Sequence, residues 1–478
     1  MRLGRARLRP GCADAIRTNG TRPNRPIGPL GTGATRYPQG RDQGEGIQHG
    51  VHGSPVVNDA WIAGAIFVVA YLMIAVERWD RTLIALLGGF LVVLLGIVSQ
   101  EEAFAAIDLN VILLLTGMMV IASIVSETGF FEWLAIRSVR MSRGNPMRLL
   151  IILSVVTAVI SAFLDNVTTV VLMTPITLSV SRRLGISPVP YLISQVLASN
   201  VGGTATLIGD PPNILIGSAA GLGFDAFLVN LAPVVAIILV AFVFIAMVSF
   251  RGDLRVPSER QEAALAETEA LAIRDRPLLV KSLVVTGATI VGFLLHTALG
   301  LEAATVAVLG ATVLMLVAER KPADLLREVE WSTLFFFIGL FILVEGIVST
   351  GIVTDIADAL LRATRGDLAV TTLALLWLSA AVSAVVDNIP YTATAIPIVQ
   401  QLIDGGMDGE PLWWSLALGA CLGGNLTIVG ASANVVVANL AMRSGYRITF
   451  WQFLRYGAAV VLASMLISTV YLWVRYLS

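Results

Sequence analysis

The chain has 478 residues, 56% of them hydrophobic and only 14% charged, with a formal net charge of -1. That much apolar surface exceeds what a soluble core needs, and a near-neutral balance without a Lys/Arg patch in the hydrophobic body argues against a nucleic-acid partner. The two cysteines, Cys12 and Cys421, sit in settings that support neither a metal site nor a structural disulfide.

Residues 1–57 are rich in Arg, Gly and Pro, lack apolar periodicity and contain no signal-peptide core, so they read as a disordered tail. Apolar stretches then recur to the end of the chain. Ala60 to Val76, Leu83 to Val98 and Ala226 to Val248 reach or approach the roughly 17 to 25 residues that cross about 30 Å of hydrocarbon. The chain therefore reads as an all-α, multi-pass protein of the cell membrane, with about 11 spanning segments. Thirty arginines against two lysines suit a GC-rich, bacterial coding sequence, and hence a bacterial inner membrane.

Basic residues sort the loops into two sides. Arg137 to Arg148, Arg182 and Arg183, Arg251 to Lys281, and Arg320 to Arg327 fit one cytoplasmic side, whereas the alternate loops, such as Gln100 to Asn110 and His296 to Glu302, carry no Lys or Arg. This assignment would leave the tail arginines outside. The expectation is therefore that the true start lies downstream of Met1, or that the first helix is placed differently.

Two copies of one unit follow. Gly117 and Gly339 lie 222 residues apart, and the Thr-Gly pairs at 128 and 350, Asp165-Asn166 and Asp387-Asn388, and Pro175 and Pro397 keep that spacing. After a slip of one residue, Gly202-Gly203 matches Gly423-Gly424, Thr206 matches Thr427, and Asn213 matches Asn434. An odd number of crossings between equivalent points makes the copies inverted repeats. The expected organisation is a first repeat with leading helices over 58–250, a charged cytoplasmic linker over 251–277, and a second repeat over 278–478.

In each copy an apolar stretch runs into Asp-Asn and resumes: VISAFLDNVTTVVLMTP, then LSAAVSAVVDNIPYTATAIP. The flanks are too short for two clean spans, so each reads as a re-entrant hairpin with its tip near the midplane, where protein or water must surround the bare backbone. A carboxylate there costs roughly 2.5 to 3.5 kcal/mol unless paired or solvated. Asp165 and Asp387 thus suggest a cation or proton site; the alternative is that each simply caps the following helix. Asn166, Thr168 and Thr169, with Asn388, Thr392 and Thr394, add neutral oxygens and donors suited to a hard cation or a hydroxylated solute.

The second element is VGGTATLIGDPPN, Val201 to Asn213, paired with LGGNLTIVGASAN, Leu422 to Asn434. Its glycines, Gly202, Gly203 and Gly424, let a helix unwind in each copy, with Thr206, Asn425 and Thr427 beside the break. Asp210 or Ser432 is placed to cap a restarted half-helix, whose positive end attracts anionic or polar groups. Asn213 and Asn434 complete the candidate site. Glu345, where the first repeat has Ser123, is a candidate proton relay or a paired structural acid. His296 reads as solvated at a loop edge. The remaining histidines, His49 and His52, lie in the tail, so no catalytic triad, zinc site or enzyme is expected.

The segments FLDNVTTVVLMTP, NVGGTATLIGDPPN, VVDNIPYTATAIP and LGACLGGNLTIVGASANVV resemble the ion transporter superfamily of citrate-transporter-like permeases. They are most similar to the arsenical-pump and P-protein branch, with NhaD-type sodium/proton antiporters as relatives. The resemblance covers about residue 60 to the C-terminus. It implies two discontinuous helices, two re-entrant hairpins, a homodimer working by an elevator-like movement, and a binding site over Asp165, Asn166, Thr168, Gly202, Asn213, Asp387, Asn388, Thr392, Gly424 and Asn434. It also implies, in arsenite carriers, an ATPase subunit; no GxxxxGKT motif stands in this chain. The sodium/dicarboxylate carriers have Ser-Asn-Thr at both tips, and Asp at those positions would repel a carboxylate substrate by roughly 4 kcal/mol per like-charge contact at about 4 Å.

The expected function is secondary transport of arsenite or a similar inorganic solute, with sodium or protons as coupling ion and no other cofactor. Sodium/proton antiport and citrate or dicarboxylate transport are the alternatives. A passive channel is the reading from a different class.

Overall fold

The computed structural model describes residues 57–76, 78–143, 145–252, 254 and 273–478. The tail therefore lies outside the described residues up to position 56, as does most of the 251–277 linker. Among the described residues every regular element is a helix. The first repeat comprises α1 (Val57–Val76), α2 (Arg81–Leu94), α3 (Gln100–Ala105), α4 (Leu109–Glu127), α5 (Phe130–Ser142), α6 (Pro146–Ser161), α7 (Asn166–Leu184), α8 (Val189–Gly203), α9 (Pro211–Ala220), α10 (Phe224–Asn230) and α11 (Ala232–Ser249). The second comprises α12 (Arg276–Leu295), α13 (Ala303–Val317), α14 (Pro322–Leu325), α15 (Trp331–Ser349), α16 (Ile352–Thr364), α17 (Leu368–Ser383), α18 (Asn388–Asp404), α19 (Gly409–Gly423), α20 (Ser432–Arg443) and α21 (Phe450–Leu472).

Local chemistry sets many of the boundaries. Asp80, Asp108, Asn145, Asp275, Asp367, Asp408 and Thr449 each accept a first-turn N–H, which satisfies a donor that the helix itself leaves unpaired. The Thr-Gly pairs mark matched turns: Gly129 and Gly351 take φ of 81° and 80°, a left-handed conformation that side chains resist.

The expectation of about 11 spans counts hairpin arms and half-helices as spans. By length and composition the described residues hold six spanning helices, or seven if α9 and α10, bent by 115°, count as one. Four shorter apolar helices, α2, α6, α13 and α17, have 14 to 16 residues. At a rise of 1.5 Å per residue they extend only about 21 to 24 Å, short of a hydrocarbon layer of about 30 Å. Leu72, Leu87, Phe244, Val284, Leu316 and Val470 are exposed, and this apolar surface suits lipid.

The repeats exchange partners across an approximate two-fold relation. Helix α2 packs along α15, and its counterpart α13 packs along α4. A Cβ on Gly117 would stand 2.7 Å from the Ala307 carbonyl carbon, and one on Gly339 would stand 2.5 Å from that of Ala85. Ala85 and Ala307 are themselves 222 residues apart, so one interlock is built twice. The hairpins cross over too: α7 meets α20 and α18 meets α9, while α8 and α19 are buried along almost their whole length.

Backbone contact leaves no room for a methyl group at either interlock. Gly117→Ala and Gly339→Ala should each destabilise the protein by about 1–3 kcal/mol, whereas Gly287→Ala, where a Cβ meets nothing within 4 Å, should be neutral. Thermal unfolding of the detergent-solubilised variants measures this; an equal loss at all three positions would refute the interlock.

Candidate substrate and ion site

The interior is polar where six helix ends meet. Helices α7 and α18 start at the hairpin tips, α9 and α20 restart after the breaks, and α8 and α19 stop beside them. Both tip acids do cap: Asp165 accepts the Thr168 N–H at 2.9 Å and Asp387 accepts the Ile389 N–H at 3.0 Å. Capping uses Oδ1 in each case. The Oδ2 of Asp387 accepts from Arg81 Nη1 at 3.3 Å and from the Ser432 hydroxyl.

Asp210, fully buried, holds the two tips together. Its Oδ1 accepts from Asn166 Nδ2 at 3.1 Å and from Asn388 Nδ2 at 3.3 Å, one amide from each repeat. The sequence reading of Asp210 and Ser432 as caps is thereby corrected. Asp210 occupies the N-cap position of α9 without making a cap bond, because its carboxylate turns to the two asparagines; Ala431, not Ser432, is the N-cap position of α20, and Ser432 faces Asp387. An unsolvated carboxylate needs such donors, and the positive ends of α7 and α18 face it as well.

A chain of amides continues inward. Asn166 Nδ2 also reaches Asn200 Oδ1 at 3.1 Å, and Asn200 Nδ2 donates to Asn425 Oδ1 and Asn434 Oδ1, each at 3.0 Å. Asn213 Nδ2 donates to the Thr204 and Thr206 carbonyls, and Asn434 Nδ2 to the Gly424 and Thr427 carbonyls, so the matched asparagines hold the two unwound segments. Two buried polar atoms in this cluster have no protein partner: Asn166 Oδ1 and Asn425 Nδ2.

Other sequence candidates serve the scaffold of the site. Thr392 donates to Asn388 O within its own helix, Thr206 and Thr427 donate to the Ala162 and Ala384 carbonyls, and half-buried Thr168 supplies the cap N–H. Gly202 abuts the Ala158 backbone, Gly203 abuts Gly209, and a Cβ on Gly424 would stand 2.6 Å from Gly430 O. Glu345 is not brought to the tips; it is half-buried on α15, and the acid it senses is Glu102. His296 is not solvated either. It is buried, pairing Nδ1 with Leu301 O at 2.9 Å and accepting the Phe224 N–H on Nε2 at 3.2 Å, because the start of α10 needs an acceptor there.

Sequence reasoning missed Arg81, Asn200 and Glu330. Arg81 reads as an ordinary loop cation at the head of an apolar run. Asn200 stands opposite Cys421 in the repeat and so has no matched partner to signal it. Glu330, at the head of α15, interacts with both Asp165 and Arg81. Asp210 in turn feels Asp387 and Asp165.

An all-helical body with an apolar exterior, broken helices and a buried polar junction defines a multi-pass membrane transporter. Residues 71–419 match the family model described as citrate transporter, and the chain belongs to that family. An uncharacterized transporter of Mycobacterium tuberculosis is 44% identical over 87% of this chain and 98% of its own length. The human P protein is 33% identical over 87% of this chain and 60% of its own length. The solved YdaH transporter of Alcanivorax borkumensis superposes with a TM-score of 0.56 at 14% identity, covering 87% of this chain and 98% of that one, and so shares the fold.

Asn213 and Asn434 do the same work in the two repeats. Asn213→Ala and Asn434→Ala should each leave buried carbonyls unpaired and cost about 1–3 kcal/mol. Calorimetry in detergent reads the two losses, and a large loss at only one position would show that the repeats do not share this brace.

Proposed function

We propose that the chain is a secondary active transporter of a small, uncharged hydroxylated inorganic solute such as arsenite, with proton coupling through Asp165, Asp210 and Asp387. The bridge from Asp210 to both hairpin tips carries this reading. A carboxylate shared by the two hairpin tips changes its hold on both when it takes up or loses a positive charge, which links ion occupancy to tip position. Buried acids at such a depth are functional groups by default in a membrane protein.

The two unpartnered atoms favour a hydroxylated cargo. A hydroxyl can donate to Asn166 Oδ1 and accept from Asn425 Nδ2, whereas a bare cation serves only the oxygen. Sodium/proton exchange is the second reading, since the free Asn166 oxygen beside a carboxylate also suits a hard cation. Citrate transport, although it is in the family's description, is disfavoured by the acids Asp165 and Asp387 at the two tips, where the dicarboxylate carriers have none.

The purified protein in liposomes loaded with a pH-sensitive dye separates these readings. Arsenite should drive proton movement, and Asp165→Asn, Asp210→Asn and Asp387→Asn should each reduce the flux at least tenfold. Proton movement driven by sodium and indifferent to arsenite would replace the first reading with the second. Flux within twofold of wild type in all three variants would make the acids purely structural.

A further inference from the structure

Two cavities of similar size occupy repeat-related places. One, of about 330 Å³, is lined by Ile74, Trp79, Arg81, Asp387, Ser432 and Asn439. The other, of about 340 Å³, is lined by the matching positions His296, Leu301 and Ala303, together with Ser218 in the place of Asn439. They differ in two respects. The first reaches its tip acid, Asp387, while Asp165 is not among the lining residues of the second. The first also holds a guanidinium where the second has the methyl group of Ala303.

Arg81 is fixed at its base by one helix pair, and its head reaches across to another element. It is the first residue of α2, whose start is capped by Asp80 and tied to α15 by the Thr82 hydroxyl bond to Ser332 O at 2.9 Å. The guanidinium lies over the Phe336 ring of α15, 5.0 Å from its centroid. From there Nη1 reaches Asp387 Oδ2 and the Ser432 hydroxyl. The cation is thus carried by the α2–α15 pair and the acid by the hairpin. Other groups facing the pair are Asp80 on the loop before α2, Glu330 at the head of α15, Tyr71 on α1 and Asp210 before α9; α20 contributes only neutral Ser432 and Asn439.

We propose that Arg81 is a built-in competitor cation for the second tip, so that a proton or cargo cation loads Asp387 only by displacing the guanidinium, and Arg81 thereby sets the ion preference of the cycle. The inference rests on the reading that the tip acids carry the coupling ion. Arg81 acts through Asp387 and is a positioning residue. Side-chain exposures of 29% for Arg81 and 10% for Asp387 leave the pair within reach of the cavity and so exchangeable. Among the described residues the first tip has no such rival, which makes the two symmetric acids chemically unequal.

Two readouts on the full chain test this. In the first, Asn439→Cys is placed in a Cys12→Ser background, and the rates of a negatively and a positively charged thiosulfonate are compared across pH; their ratio cancels thiolate formation and follows the charge of the cavity. Arg81→Gln should move the ratio about tenfold toward the positively charged reagent, as loss of one partly buried cation implies, and Asp387→Asn should move it the opposite way. Arg81→Lys should stay near the parent. In the second, the pH midpoint of proton-coupled flux in liposomes should differ between the parent and Arg81→Gln. Identical midpoints in the parent and Arg81→Gln, with flux lowered equally in the Gln and Lys variants, would reduce Arg81 to a structural residue and leave proton coupling standing. A labelling shift in a protein that moves no protons would overturn the coupling reading and the competitor role with it.

Discussion

The carboxylate of Asp210 is the constraint on which the interior depends. It stands fully buried between two hairpin tips, and it is tolerated because Asn166 and Asn388 each turn an amide toward it, with the Cys421 thiol beside it. Those amides are in place because Asp165 and Asp387 cap the helices that carry them, and the Asn388 N–H is itself pinned to Gly430 O at 3.1 Å. Tip, break and acid therefore specify one another. The break at Gly203–Gly209 must be tight for Asp210 to arrive between the tips, and only glycine permits that approach of backbone to backbone.

Around this junction the packing is indifferent to chemistry and strict about size. The two glycine interlocks, Gly117 on Ala307 and Gly339 on Ala85, bring helices of opposite repeats into main-chain contact. Such contact suits a membrane interior, where lipid tails are as apolar as leucine and close fit, rather than exclusion from water, holds helices together. Close fit thus holds the scaffold, while the polar junction rests on a few side-chain hydrogen bonds.

What was legible in the sequence follows from this division. The repeat, the hairpins, the unwound segments and the tip acids all leave duplicated signals, so Asp165 with Asp387 and Asn213 with Asn434 could be found by register alone. Apart from Glu330, which matches Asp108, the residues that misled or escaped the reading are those without a counterpart. Asp210 matches Ala431 and so reads as a cap beside two prolines; Asn200 matches Cys421; His296 matches Ile74, and its polarity at a loop edge suggests water, whereas the start of α10 claims its ring nitrogen. Arg81 matches Ala303, and its contact with Asp387 spans 306 residues, a separation that no local pattern encodes.

Unmatched residues are also where a symmetric fold acquires direction. Were the repeats chemically identical, each tip would face the same partners, and the two cavities would offer an ion equal terms from either side. Here one acid has a guanidinium rival, the other has none among the described residues, and a single carboxylate contributed by the first repeat serves both tips. On the proposed coupling, loading of one tip differs in free energy from loading of the other by an ion pair that lines a cavity. The duplicated residues build the frame, Asp210 joins its two halves, and Arg81 sets one tip apart from the other.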